Sequence, residues 1–289
     1  MGHLARTTGA AVAIAAALFL ASSCMLDGGD FKSSKKSGPR VGVVEINETI
    51  MDSKEIVRRL DEFGEDDDLK ALVLRIDTPG GAVGAVQEIY RGVMRLRGKK
   101  KIVASFGNTA ASGGYYIAAA ADRIFSNPGT VTGSIGVVAQ VTDFSDLLAL
   151  AKIKVNTIKA GRYKDMGSPT RPMTPEDEKI MQDLVSEVRG QFVSDIAKGR
   201  GMDRAKVEAA ADGSIMTGAK AKELGLVDEL GDMQDAVTWV AKAADLQGKP
   251  HLVYGKKKRQ SLFKEMMESF IENADDVSSR FEGMKLRFQ

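Results

Sequence analysis

KIVASFGNTAASGGYYIAAAA, residues 101–121, reads as a strand that runs into a helix. KIVASF (101–106) is a short apolar run rich in strand formers, residues 115–121 are alanine-rich and helical in pattern, and TAASGGYY (109–116) sets Ser112 among small residues where the two meet. The same alternation extends upstream. VGVVEI (41–46) precedes an amphipathic helix near 53–63, and ALVLRI (71–76) precedes another near 83–97. Short apolar strands separated by helices of this length predict βα units and a mainly parallel, buried sheet, and so an α/β fold.

Downstream, Thr174-Pro175-Glu176-Asp177 has the form of a helix start, with Thr as N-cap, Pro in the first turn and acids facing the helix dipole. Ile180, Met181, Leu184, Val185, Val188, Phe192, Val193 and Ile196 then recur at helical spacing until Gly199–Gly201, predicting a packed helix of about two dozen residues with one broad apolar face. No internal repeat of 20–50 residues is present.

A serine at such a junction has the position of a nucleophile, and a nucleophilic hydroxyl needs a base. The 289 residues contain two histidines, His3 and His251, and one cysteine, Cys24, none of them near Ser112 in sequence. A Cys-His nucleophile, a disulfide framework and a Cys/His zinc site are thereby set aside. Lys, Asp and Glu remain as candidate bases. A lysine with an ordinary pKa of ~10.4 must lose roughly 2 to 3 units to act near neutrality, a cost of about 3 to 4 kcal/mol, so a base lysine needs an apolar, glycine-rich setting. Asp77-Thr78-Pro79-Gly80-Gly81 follows the second strand, and its paired glycines permit positive φ and close backbone approach. One N–H from this loop and one from Gly113 can together form an oxyanion hole.

Composition adds limits. The chain is 43% hydrophobic, and its 41 basic and 39 acidic residues leave a net charge of +2, so no global field points to nucleic acid. Residues 1–24 carry Arg6 and no acid, then the unbroken apolar run AAVAIAAALFLA (10–21), which reads as an export signal too short for a comfortable membrane span. LASSC (20–24) resembles a bacterial lipoprotein box in which Cys24 is lipidated; the alternative is an uncleaved anchor extending to Leu26. Either places the domain outside the cytoplasm on a membrane tether. Residues 25–39 read as a polar flexible spacer, 40–254 as the folded domain, and 255–289 as a basic tail, KKKR (256–259), followed by an apolar helix stripe.

Four ordered blocks carry a resemblance: DTPGG (77–81), NTAASGGYYIAAAADRIFSNPGTVTGSIGVV (108–138), AGRYKDMGSPTRPMT (160–174) and GSIMTGAKAKELGLVDELG (213–231). Together they resemble the bacterial signal peptide peptidase A family in its short, single-domain form, over roughly residues 41–242. The resemblance implies a ClpP/crotonase-type spiral of ββα units and a serine peptidase that needs no cofactor or metal. It implies Ser112 as nucleophile, Lys164 as general base, and the N–H groups of Gly113 and of Gly80 or Gly81, with Gly81 preferred, as oxyanion donors. Lys159 is the fallback base, and Tyr163 and Asp165 flank Lys164. It further implies peptide substrates such as signal peptide remnants, no nucleic acid partner, and a homo-oligomer in which serine and lysine can meet across a subunit boundary. Two other readings use the same fold: a non-proteolytic envelope scaffold, and a crotonase-like acyl-thioester enzyme with a carboxylate base.

Overall fold

A computed structural model describes residues 38–255 of the chain. The expectations for the export signal with Cys24, for the spacer up to residue 37 and for the tail beyond Gly255 lie outside the described residues.

The strands at 41–46, 71–76 and 101–106 all form. β1 (Arg40–Asn47) is followed by α1 (Lys54–Glu65), β2 (Leu69–Thr78), α2 (Val83–Arg97) and β3 (Lys101–Ala111). After Ser112 come α3 (Gly113–Ala118), β4 (Arg123–Ser126), β5 (Val131–Gly133) and α4 (Ser145–Leu150). The remainder is α5 (Pro175–Arg200), α6 (Arg204–Ala210), β6 (Ile215–Thr217), α7 (Gly218–Glu223), β7 (Glu229–Leu230), α8 (Met233–Ala243) and β8 (His251–Tyr254).

One sheet contains every strand of the described residues, in the order β6-β5-β3-β2-β1-β8, with β4 beside β3 and β7 beside β4. All pairs are parallel except β5 with β6. Both faces of the central strands are covered, which is why their sequences are almost continuously apolar. Val44, Ile46, Leu72, Leu74, Ile102 and Phe106 pack toward α1, α2 and α3, in a core that includes Leu60, Ile89 and Tyr115. Val41, Val43, Ala71, Val73 and Val103 point the other way, onto Ala236, Val237 and Val240 of α8. His251 lies in β8, three strands from β3 and so about 14 Å across the sheet at the usual strand spacing.

The helix start at Thr174 forms as the sequence implies. Thr174 accepts from the Asp177 N–H, the Asp177 side chain accepts from the Thr174 N–H, and Gly201 closes the helix with φ 61°. The apolar face of α5 is packed only in part. Phe192, Val193 and Ile196 are buried in the core, whereas Leu184 is exposed and Ile180, Met181, Val185 and Val188 are half-buried. Among the described residues, only the second half of α5 has the core beneath it.

β3 supplies the irregularity that positions Ser112. Ile76 pairs with Phe106 but Thr78 pairs with Ala110, so β3 advances four residues while β2 advances two. The surplus is a bulge around Gly107 and Asn108. Asp77 clamps it: its carboxylate accepts from the Thr109 N–H at 3.0 Å and from Asn108 Nδ2 at 2.9 Å. Beyond the bulge β3 exchanges β4 for β5 as its neighbour, and its end arrives beside the Gly80-Gly81 loop.

Candidate active site

Ser112 occupies the one-residue gap between β3 and α3, with φ 51° and ψ −117°. This is a sparsely populated conformation for a residue with a side chain, costing of order 1–3 kcal/mol. It is held from both sides: the Ser112 N–H donates to the Gly133 carbonyl at 2.8 Å, and the Ser112 carbonyl accepts from Tyr116 N–H at 2.9 Å. The turn leaves Ser112 half-buried on the wall of a pocket of about 130 Å³.

The glycine loop forms another side of this pocket. Gly80 has φ 110°, and its N–H donates to Thr78 Oγ1 at 3.1 Å. Ile50 fixes the loop as a strand would, donating to the Gly80 carbonyl at 2.8 Å and accepting from the Ala82 N–H at 2.7 Å. Gly81 is therefore pressed against Ile50, where a Cβ would lie 2.0 Å from the Ile50 carbonyl oxygen. A Cβ on Gly113 would lie 3.3 Å from the Gly81 nitrogen, so the two peptides stand side by side. Neither the Gly81 nor the Gly113 N–H has an acceptor among the described residues. Two unpaired donors beside a strained serine can receive a developing oxyanion.

Apart from Gln87, the rest of the pocket is mainly apolar. Val83 and Val86 of α2, Val138, and Val188 and Phe192 of α5 line it, with Tyr116 between. The Tyr116 ring packs edge-on against Phe192, with centroids 4.6 Å apart, and its hydroxyl donates to the Asp195 carboxylate. Burial pushes the phenols of Tyr116 and Tyr90 well above the usual range, Tyr90 up to about 12. Both therefore act here as neutral donors.

Ser112, Gly113 and Gly81 thus come together, and Lys164 does not join them. It is exposed, on a run of turns between α4 and α5, and it is not among the residues lining the Ser112 pocket. Its loop is ordered by its neighbours: the Lys164 N–H donates to the Gly161 carbonyl at 3.2 Å, and Asp165 is held by Lys159 and Arg171. Lys159 is consequently committed to an ion pair. Tyr163 carries the Arg162 guanidinium 5.2 Å above its ring.

Several residues that shape the site escaped the sequence reading. Asp77 had only the weak signal of an aspartate ahead of a Thr-Pro-Gly-Gly turn. Val138 and Val188 join the pocket from distant segments. Ser134, with φ 50°, follows the Gly133 that anchors Ser112 and donates its N–H to Ser214 O at 2.7 Å. A left-handed serine has no local sequence signature.

Comparisons with known proteins give the family. The model of Peptidase family S49 matches residues 94–247, a span that contains Ser112, Gly113 and Lys164. A provisionally named protease of Synechocystis sp. is 42% identical over 217 residues, covering 75% of this chain and 78% of its own. A provisionally named signal peptide peptidase SppA of Enterococcus faecium is 39% identical over 189 residues, 65% of this chain and 55% of its own. Protease 4 of Salmonella typhi is 32% identical over 225 residues, 74% of this chain but 36% of its own. The chain belongs to peptidase family S49, and its mainly parallel α/β fold is of the ClpP/crotonase type.

Proposed function

We propose that the protein is a membrane-tethered serine endopeptidase that degrades released signal peptides and other apolar peptides, with Ser112 as nucleophile and Lys164 as general base. The observation that carries the reading is the strained Ser112 beside the unpaired N–H groups of Gly113 and Gly81, at an apolar pocket. Neutral Lys164 accepts the Ser112 proton as Oγ attacks the scissile carbonyl. The oxyanion is received by the two N–H groups, the lysine ammonium protonates the leaving amine, and water then releases the acyl group. An extended peptide adds as a strand beside the glycine loop and places an apolar side chain between Val86 and Phe192. The name of the Enterococcus relative supports signal peptides as substrates, and that of the Salmonella relative supports proteolysis.

In this reading residues 40–254 are the peptidase domain and the N-terminal segment is the tether, through Cys24 or an uncleaved anchor. The enzyme works as a homo-oligomer in which Lys164 of one subunit serves Ser112 of the next. Two features support that arrangement: among the described residues Lys164 does not line the Ser112 pocket, and Leu147, Leu150, Ile158 and Leu184 are all exposed, Ile158 fully.

A serine-directed fluorophosphonate probe tests the nucleophile: it is expected to label the wild type and not Ser112→Ala. Lys164→Ala is expected to abolish peptide cleavage with the circular dichroism spectrum unchanged. An unlabelled but folded wild type favours the scaffold reading, and an active Lys164→Ala variant overturns the dyad. Mass spectrometry of the mature N-terminus reads Cys24 lipidation directly.

A further inference from the structure

The turns around Lys164 contain a cluster that the catalytic scheme leaves unused. Arg171 grips the Asp165 carboxylate with two bonds, Nε to Oδ2 at 2.9 Å and Nη2 to Oδ1 at 3.1 Å, and reaches the Asp165 carbonyl at 3.3 Å. Its other nitrogen, Nη1, donates to Asp177 Oδ2 at 2.7 Å and to the Pro172 carbonyl at 2.8 Å. Asp177 is 2% exposed and is the capping-box residue of α5, so Arg171 ties the Lys164 turns to the start of that helix. Lys159 Nζ occupies the remaining side of Asp165. The other charged groups of the cluster pair elsewhere: Arg162 meets Glu176 at 3.3 Å and stacks on Tyr163. Lys164 makes no ion pair among the described residues.

This distribution bears on the base. A carboxylate next to a lysine amine favours its charged form, which cannot accept a proton. Asp165 directly follows Lys164 in the chain and would be its nearest counter-ion. We propose that Arg171 is a positioning residue for Lys164, binding the Asp165 carboxylate to Asp177 and α5 so that the base is left without a counter-ion. The hydrogen bonds from Arg171 and then Lys159 hold the Asp165 carboxyl well below the usual range, so it stays ionised near neutral pH. The inference rests on the assignment of Lys164 as base and adds a device that keeps it competent.

The test uses kcat/KM against pH with a fluorogenic apolar peptide, on the full chain in its native assembly. In Arg171→Gln the carboxylate, freed from Asp177 and α5 and held by Lys159 alone, is expected to move the acid limb upward by about one pH unit, a fall of about tenfold near neutrality that higher pH restores. Arg171→Lys, which keeps the charge, is expected to hold the limb closer to its wild-type position. The double variant Arg171→Gln/Asp165→Asn removes the stray carboxylate and is expected to return the limb, although the clamp is still broken. A uniform loss at all pH values in Arg171→Gln, or a double variant as impaired as the single one, overturns the proposal while an inactive Lys164→Ala leaves the dyad standing. If Lys164→Ala is itself active, dyad and inference fall together.

Discussion

Gly80 closes on Gly113: a Cβ placed on Gly80 would lie 2.8 Å from the Gly113 nitrogen and 3.0 Å from the Ser112 Cβ. The nucleophile turn and the glycine loop are therefore fitted to one another with no room for a side chain between them. Gly80 also has φ 110°, so alanine there is strained as well as crowded. Gly80→Ala is expected to lower unfolding stability by about 1–3 kcal/mol and kcat/KM at least a hundredfold, since the misplaced donor is worth about that much on its own. Urea unfolding and peptide turnover measure the two effects. Wild-type turnover in this variant would show that the loop contributes no oxyanion donor.

Ser112 stores strain where the chemistry is proposed to occur. Its φ of 51° and ψ of −117° suit glycine better than any residue with a Cβ. Ser112→Gly is expected to be more stable than Ser112→Ala by about 1 kcal/mol, both being inactive. Parallel urea titrations of the two variants provide the comparison. If Ser112→Ala is the more stable of the two, the turn is not strained.

Much of this was legible in the sequence, for physical reasons that differ from element to element. β1, β2 and the first half of β3 are buried on both faces, so their apolar runs announce them. The start of α5 is written in Thr174, Pro175 and Asp177 because capping is local chemistry. Ser112 and the two glycines were readable as a junction and a turn. Their meeting depends on the β3 bulge, which depends in turn on the Asp77 carboxylate reaching Thr109 across the sheet. No periodicity encodes that contact. The half-packed face of α5 was over-read, since helical spacing reports an apolar stripe and not what covers it.

The separation of Lys164 from the Ser112 pocket makes a prediction about mixed assemblies. Ser112→Ala and Lys164→Ala should each be inactive alone. If each site takes its serine from one subunit and its lysine from the neighbour, some sites in a co-assembled mixture retain both residues. Coexpression of the two variants is then expected to recover roughly a quarter of wild-type activity per site, the random fraction of intact pairs. Dyads formed within single chains would give no recovery, because every chain would lack one partner. Size-exclusion chromatography with light scattering of the same mixture reports whether co-assembly took place.

The Arg171 cluster predicts a dependence of stability on acid. Arg171 lowers both the Asp165 and the Asp177 carboxyls, with Lys159 and the Thr174 N–H assisting in turn. A carboxyl depressed in the folded state contributes stability that is full above its unfolded value, near pH 4, and is lost as pH falls through the folded value. Wild-type stability is thus expected to decline below about pH 4 more steeply than that of Arg171→Gln, in which both carboxyls return toward ordinary values. Urea midpoints at neutral pH and at about pH 5 should separate wild type from variant by the same amount, and the gap should narrow at about pH 3 as the carboxyls protonate. A gap that stays constant down to pH 3 would mean that Arg171 stabilises the turns by packing its side chain and not through its charge.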